Sequence, residues 1–162
     1  DRPWTPDAEV NAPDAAGAAM GAPATIAPRP MRVLVAEDDA LNAAMLRAIL
    51  EQLGHQVVHA HNGKRALELA RLADFDLLML DGRMPHMDGP QTMAAIRALD
   101  GPIAGAPIIA VIGGDADEAR ECLDAGADTV LRKPVTVAGV ARAVADAAAK
   151  VRPEAIGARS AA

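Results

Sequence analysis

Hydrophobic positions along the chain alternate between two periodicities five times. Short apolar segments typical of strands are each followed by a stretch in which apolar residues recur every three or four positions, as on one face of a helix. The predicted strands are Arg32–Ala36, Gln56–Ala60, Phe75–Leu80, Pro107–Ile112 and Thr129–Leu131. The first, third and fourth are almost continuously apolar, which is typical of strands buried on both faces of a parallel sheet.

Local signals support a helix after each strand. Gly54 ends the first helix, and the third helix, Pro90–Leu99, opens with a proline. Asp115 and Thr136 are the predicted caps of the fourth and fifth helices, and Gly126 ends the fourth. The apolar stripes are Leu46, Ile49, Leu50 and Leu53 in the first helix, Leu67, Leu69, Ala70 and Ala73 in the second, and Val137, Val140, Val144 and Val151 in the fifth. Five such units joined by right-handed crossovers predict a doubly wound α/β fold, with functional groups at the carboxyl ends of the strands.

The two ends of the chain lack this pattern. Residues 1–30 are rich in Ala, Pro and Gly, and residues 152–162 carry no apolar period. We predict a disordered linker over 1–30, one domain over 31–151 and a flexible tail over 152–162. Because the first residue is Asp, we expect either a piece of a longer protein or a natural start at Met31.

Composition removes several classes of function. Aromatic residues make up 1% of the 162 residues and the net charge is −6, so we expect no nucleic-acid partner, which would require stacking surfaces or a basic footprint. The single cysteine, Cys122, cannot form an internal disulfide and is expected to be a small buried apolar residue in a cytoplasmic protein. No apolar run is long enough to span a bilayer, so we expect no membrane contact.

Charged residues follow three of the predicted strands. Glu37 and Asp38 come after the first, Asp81 after the third and Lys133 after the fifth. Carboxylates that converge at one edge of a sheet repel each other unless a cation lies among them, and Mg²⁺ prefers oxygen ligands. Any one of these residues could be an ordinary cap or turn residue. The set as a whole indicates phosphoryl transfer, with an aspartate as acceptor and the lysine on a phosphoryl oxygen.

Three segments resemble the receiver domain of two-component response regulators. They are Val33–Asp39 (VLVAEDD), Leu78–Gly89 (LMLDGRMPHMDG) and Leu131–Pro134 (LRKP). The resemblance covers the whole predicted domain and implies a flavodoxin-like fold of five parallel strands in the order 2-1-3-4-5 with five helices. The run Ala36-Glu37-Asp38, with Leu41-Asn42, is more similar to receivers attached to hybrid sensor histidine kinases than to those of transcription factors.

The resemblance also implies a role for each residue at the strand ends. Asp81 would accept a phosphoryl group from a phosphohistidine, and Glu37 and Asp38 would bind Mg²⁺ together with Asp81. The backbone carbonyl of Arg83 would complete the metal shell, and Lys133 would contact the phosphoryl oxygens.

Four further expectations come from the same resemblance and the local pattern. The side chain of Arg83 and the position of Gly114 would tune the access of water to the phosphorylated aspartate. Asp39 would cap the first helix. The Lys133-Pro134 peptide bond would be cis, as it typically is in this family.

Two positions depart from the family pattern. Receivers usually end the fourth strand with a Thr or Ser and carry an aromatic residue on the fifth, where this chain has Ile112 and Val130. Ile112 cannot donate a hydrogen bond, so phosphorylation would bias the active conformation less. We expect a receiver that signals weakly or by another route, through the Gly113-Gly114 loop or the fourth helix, unless the hydroxyl is supplied differently or the alignment shifts by one residue.

The expected partners are a histidine kinase domain, a histidine phosphotransfer protein, or both, bound by a monomer near the first helix. Ala44, Met45 and Ala48 either contribute to that docking surface or belong to the core. The domain itself would be a phosphoacceptor, and whether the parent chain is an enzyme such as a hybrid sensor kinase stays open.

Three alternatives compete with this interpretation. The first is a pseudo-receiver, an unphosphorylated protein-interaction or ligand-binding module, which the missing switch residues favour. A phosphatase of the haloacid dehalogenase type would need an Asp where Arg83 stands. A flavin or nucleotide domain would need a Gly-rich loop after the first strand, which is absent.

Four histidines invite other interpretations. We interpret His55, His59 and His61 as edge or surface residues of the second strand rather than as metal ligands. We interpret His86 as ordinary loop polarity beside Asp81.

Overall fold

The computed structural model describes residues 29–149. The predicted tail, Val151 and all but the last two residues of the predicted linker lie outside this range. The strands are β1 (Arg32–Ala36), β2 (Gln56–Ala60), β3 (Leu77–Asp81), β4 (Ile108–Ile112) and β5 (Thr129–Arg132). The helices are α1 (Ala40–Gln52), α2 (Gly63–Leu72), α3 (Gly89–Arg97), α4 (Ala116–Ala125) and α5 (Val137–Ala149), with a 3-10 helix over Pro102–Gly105.

The five strands form one parallel sheet in the order β2-β1-β3-β4-β5, which confirms the predicted doubly wound fold. Successive residues of a strand face opposite sides of the sheet, so each central strand supplies both cores. Leu34 of β1 packs in the cluster that includes α2, α3 and α4, whereas Val33 and Val35 pack in the cluster that includes α1 and α5. Because all five strands are parallel, the carboxyl ends of β1, β3 and β4 lie at the same edge of the sheet.

Several element boundaries differ from the predicted ones. The third strand begins at Leu77 rather than Phe75, although Phe75 is fully buried. Its ring lies under the guanidinium of Arg32, at 5.2 Å from the ring centroid, outside the ladder. The fourth strand begins at Ile108, after Pro107, which has no N–H to donate. The apolar runs therefore predicted correctly which residues are buried, but they did not predict where strand pairing begins.

The predicted helix caps are present. Asp39 accepts hydrogen bonds from the backbone of the first turn of α1, and Asp115 does the same for α4. The hydroxyl of Thr136 accepts a hydrogen bond from the N–H of Gly139 at 3.0 Å at the start of α5. Each such contact satisfies backbone donors that the helix leaves unpaired, and is worth about 1 kcal/mol.

Arg97 joins the two connections that lead into the amino ends of β4 and β5, a contact that the sequence did not predict. Its guanidinium donates to the carbonyl oxygens of Ala104, Ala106 and Gly126 over 2.6–3.1 Å. It also forms an ion pair with Asp128 at 2.9 Å. One half-buried side chain thereby holds the end of the sheet opposite the acidic cleft.

The interpretation of His55 as an edge or surface residue is wrong. His55 is buried, and its Nδ1 accepts a hydrogen bond from the backbone N–H of Met31 at 3.0 Å. Burial lowers the pKa of its imidazole. His55 occupies the turn before β2, where the start of the domain covers it, and this contact between distant segments is invisible in the local pattern. His61 is exposed, and His59 is partly buried in β2.

The described surface settles two other expectations. Ala44, Met45 and Ala48 are exposed on α1, so they are not core residues. Cys122 is fully buried, as predicted, and burial together with nearby carboxylates raises the pKa of its thiol to about 11. Within residues 29–149, no helix has the length and apolar character needed to cross a membrane.

Candidate functional site

The carboxyl ends of β1, β3 and β5 bring three charged side chains together. Glu37 follows β1 and is 1% exposed, and Asp81 ends β3 and is 4% exposed. Lys133 follows β5, and its Nζ lies 3.3 Å from Oδ1 of Asp81 and 3.6 Å from Oε1 of Glu37. A single lysine therefore contacts both buried carboxylates, as the positions of the residues along the chain predicted. The Lys133-Pro134 peptide bond is cis.

Asp38 adds a third carboxylate at the exposed side of the cleft. One oxygen from each of Glu37, Asp38 and Asp81 lies within 4.8 Å of the others. Within the described residues, Oε1 of Glu37 is buried without a hydrogen-bond partner. Three carboxylate oxygens so close together, beside a buried oxygen that no hydrogen bond satisfies, suit a hard divalent cation such as Mg²⁺. The site therefore fits the predicted metal, while the carbonyl of Arg83 as a further ligand stays a prediction.

Burial shapes the charges of the cleft. Desolvation, followed by the neighbouring carboxyl of Asp81, raises the pKa of Glu37 to about 7. Burial alone would lower the pKa of Lys133, but the charges of Asp81 and Glu37 outweigh it and raise that pKa above its ordinary value. Near neutral pH the lysine thus stays protonated, and Glu37 is poised between its two forms.

The loop after β3 returns closely on Asp81 and presents a backbone donor to its carboxylate. The N–H of Arg83 donates to Oδ1 of Asp81 at 3.2 Å. Gly89 packs so closely on the carbonyl of Asp81 and on Gly82 that a Cβ would overlap them, and its N–H donates to the carbonyl of Gly82 at 3.1 Å. Between them, His86 adopts a positive φ of 71°. The glycine that ends the recognised motif is therefore required by the close return of the loop.

The two positions that depart from the family pattern lie on neighbouring strands. Ile112 ends β4 and is fully buried, and Val130 lies partly buried in β5. The carbonyl of Ile112 accepts a hydrogen bond from the N–H of Lys133 at 2.8 Å. Neither side chain carries a hydroxyl or an aromatic ring.

Glu118 is a residue of the site that the sequence analysis missed. Its side chain, on the first turn of α4, is 3% exposed, and its Oε2 lies 3.6 Å from Nε of Arg83. A side chain at Gly82 or Gly114 would overlap its carboxylate. The two glycines near the strand ends, Gly82 and Gly114, were the only sequence signal for the space that Glu118 fills. Their shared contact with α4 depends on the fold.

The domain has a doubly wound parallel sheet. A buried acidic cluster and a lysine lie at the carboxyl edge of that sheet, and together these features define its class. The family model for the response regulator receiver domain matches residues 33–145. The chain therefore belongs to the response regulator receiver family.

Known proteins similar to this chain include sensor histidine kinases. Sensor histidine kinase GacS of Pseudomonas protegens is 36% identical over 123 residues, which is 74% of this chain and 13% of that protein. The aerobic respiration control sensor protein ArcB of Escherichia coli is 35% identical over 107 residues, 66% of this chain and 14% of that protein. The chain thus spans only a small part of the length of these relatives.

A solved receiver structure is also similar. The receiver domain of sensor histidine kinase PA1611 from Pseudomonas aeruginosa superposes with a TM-score of 0.69 and 30% identity. The match covers 75% of this chain and 99% of that one. That structure has a magnesium ion coordinated in its active-site cleft.

Proposed function

We propose that this chain is a phosphoacceptor of a two-component phosphorelay, which takes a phosphoryl group from a phosphohistidine onto Asp81 with Mg²⁺. The observation that carries the proposal is the contact of Lys133 with the buried carboxylates of Asp81 and Glu37. Asp38, within ligand distance of both carboxylates, supports a metal site at the same place. The magnesium-bound cleft of the PA1611 receiver supports the choice of ion.

The chain's own residues account for the transfer. An oxygen of Asp81 forms a bond to phosphorus while the bond from phosphorus to the imidazole nitrogen breaks, and the imidazole keeps the electron pair and takes up a proton. The ammonium of Lys133 stabilises charge on the phosphoryl oxygens, and the N–H of Arg83 faces the same carboxylate. When bound, Mg²⁺ would neutralise further negative charge, held by Glu37, Asp38 and Asp81.

The test is phosphorylation by acetyl phosphate, with and without Mg²⁺, followed by intact mass. We expect one phosphoryl group per chain only when Mg²⁺ is present. Reduction of the product with borohydride converts a carboxyl phosphate into an alcohol, which peptide mass mapping should locate at Asp81. A chain that takes up no phosphoryl group with Mg²⁺ would contradict the proposal.

Binding of Mg²⁺ should weaken as the pH falls through 7. The raised pKa of Glu37, about 7, means that this carboxyl loses its proton only as the pH rises past neutrality, and only the ionised form binds a cation. Calorimetric titration should give a dissociation constant about tenfold higher at about pH 6 than at about pH 8. In Glu37→Gln the affinity should be lower, and its dependence on pH flatter. A wild-type affinity that is constant across this range would refute the prediction.

Replacing Lys133 by glutamine should separate metal binding from phosphoryl transfer. Without the ammonium, the carboxylates of Asp81 and Glu37 lose the cation that competes with Mg²⁺, so the affinity for Mg²⁺ should rise several-fold. The rate of phosphorylation should fall about 100-fold, because a positioned donor to the phosphoryl oxygens is lost. Lys64→Gln, an exposed lysine on α2, is the control. If Lys133→Gln lowered the affinity for Mg²⁺ and the rate of phosphorylation to the same extent, Lys133 would act only by stabilising the structure of the cleft.

Further proposals concern the setting of the domain. The similarity to GacS and ArcB supports a receiver of a hybrid sensor histidine kinase, with a histidine kinase domain or a histidine phosphotransfer protein as partner. The exposed face of α1, with Leu41 70% and Met45 37% exposed, supports docking there. We also propose that the domain acts in the cytoplasm as a monomer.

The second candidate function is a pseudo-receiver that binds a partner without being phosphorylated. The observation that favours it is the apolar pair Ile112 and Val130, where the family usually carries a hydroxyl and an aromatic ring. Phosphorylation of Asp81 in the mass experiment would exclude it.

A further inference from the structure

The carboxylate of Glu118 is buried in the wall of the acceptor site. Its side chain is 3% exposed, although it lies in the first turn of a surface helix, where acidic side chains normally reach solvent. A Cβ at Gly82 or Gly114 would overlap it, so these two glycines create the space. Because Gly82 follows Asp81 directly, the Glu118 carboxylate lies beside the stretch of chain that carries Asp81.

Little in this wall balances the charge of Glu118. Its Oε1 has no hydrogen-bond partner within the described part of the chain, and its Oε2 has Arg83 Nε at 3.6 Å. Ile112 contributes only apolar groups, since its Cγ2 lies 3.1 Å from where a Cβ of Gly82 would be. Within the described residues, the ion pair with Arg83 is therefore the one side-chain contact that compensates a charge that is costly to bury alone.

The two side chains of this ion pair differ in exposure to solvent and therefore in how easily they can move. The side chain of Arg83 is 77% exposed and can turn to another anion at low cost. Glu118 cannot lose Arg83 without leaving a carboxylate both buried and unpaired. A competitor for Arg83 would thus act mainly on Glu118.

We propose that Glu118 positions the guanidinium of Arg83 beside Asp81 and, through this ion pair, couples phosphorylation to the first turn of α4. The inference rests on the proposed phosphorylation of Asp81. It gives this receiver a route for the signal that needs neither a hydroxyl at position 112 nor an aromatic ring at position 130.

Charge drives the coupling. Phosphorylation replaces the single negative charge of the Asp81 carboxylate by about two negative charges on the phosphoryl oxygens, a net gain of about one, next to Arg83, whose backbone N–H already faces Asp81. The guanidinium turns to the phosphoryl oxygens, and Glu118 is left unpaired beside a like charge. Its carboxylate then moves towards solvent and carries the first turn of α4 with it.

The connection between β4 and α4 permits such a movement. Gly113 and Gly114 lie in this connection, ahead of the cap residue Asp115, and glycine adopts more backbone conformations than other residues. Arg132 of β5 donates to the carbonyl of Gly114 at 2.9 Å, so the loop also has a defined resting contact.

The first test compares Glu118→Gln with Asp117→Asn by amide NMR, with Mg²⁺ and beryllofluoride as the phosphoryl mimic. Asp117 is an exposed carboxylate in the same turn, so both variants lose the same favourable charge at the helix N-terminus. We expect both to keep the beryllofluoride-dependent shifts of Asp81 and Lys133. In Glu118→Gln, the shifts of residues 113–119 should fall at least about twofold below those of Asp117→Asn.

The second test needs no phosphoryl mimic. Arg83→Gln changes an exposed side chain, so the variant should fold, and it removes the partner of Glu118. Without beryllofluoride, its signals for residues 113–119 should already move towards the positions that the wild type reaches with beryllofluoride. If Glu118 acted only as an acidic residue of the first helical turn, removing Arg83 would leave the signals of residues 113–119 at their resting positions.

The outcomes separate the two proposals. A wild type without beryllofluoride-dependent shifts at Asp81 overturns the proposed function, and the coupling with it. A wild type that binds the mimic, while Glu118→Gln behaves like Asp117→Asn or Arg83→Gln keeps resting signals at residues 113–119, overturns the coupling alone.

Discussion

Replacing Asp81 by asparagine should abolish phosphorylation by acetyl phosphate, to below about one-hundredth of the wild-type level. The amide is not a nucleophile at neutral pH, so the acyl phosphate cannot form. Because Asp81 is also one of the three clustered carboxylates, Mg²⁺ should bind about tenfold or more weakly. Intact mass and calorimetric titration measure the two effects separately.

The fold should survive this substitution. Asp81 is one of two buried carboxylates that share Lys133, and asparagine has nearly the same size. Its removal takes away the neighbouring carboxyl that helps to raise the pKa of Glu37, so that pKa should fall towards its usual value. Asp124→Asn, on the exposed side of α4, is the matched control and should be phosphorylated like the wild type.

Phosphorylation of the asparagine variant at the wild-type level would place the acceptor elsewhere. Asp38 would then be the first candidate, since its carboxylate lies within 4.8 Å of the same cluster and is exposed. Borohydride mapping of that product would identify the residue that carries the phosphoryl group.

The sequence predicted the doubly wound fold and the charged core of the site for a common reason. Continuous apolar runs identified β1, β3 and β4 as buried strands, and parallel strands place their carboxyl ends at one edge. Glu37 and Lys133 follow strands directly and Asp81 ends one, so their meeting follows from the parallel sheet together with the strand order that the resemblance implied. No knowledge of side-chain packing was needed.

Packing between distant segments lay beyond the sequence. The position of His55 beside an edge strand predicts a surface residue, but Met31, 24 residues away, covers it. Glu118 looked like an ordinary acidic residue of a first turn, and its burial depends on how α4 docks over Gly82 and Gly114. Both depend on contacts that only the assembled fold creates.

The contacts of Arg97 also depend on the assembled fold. Removing its side chain should lower the stability of the domain more than removing an exposed charged side chain. Arg97→Ala leaves the carbonyl oxygens of Ala104, Ala106 and Gly126 without their donor and separates Asp128 from its cation. The free energy of unfolding should fall by about 3 kcal/mol, because half-buried polar groups lose partners that water replaces only in part. In urea, the midpoint of unfolding should fall by about 1–2 M.

Two variants decide whether the geometry of the guanidinium matters. Arg97→Lys keeps the positive charge but has a single ammonium, which cannot reach the acceptors in both connections at once, so it should lose an intermediate amount of stability. Arg47→Ala breaks an exposed ion pair with Glu51 at 3.3 Å and should cost about 0.5 kcal/mol or less. If Arg97→Ala lost no more stability than Arg47→Ala, the network at the amino ends of β4 and β5 would not hold the sheet. The acidic cleft lies at the other end, so Arg97→Ala should bind Mg²⁺ like the wild type at temperatures where it is folded.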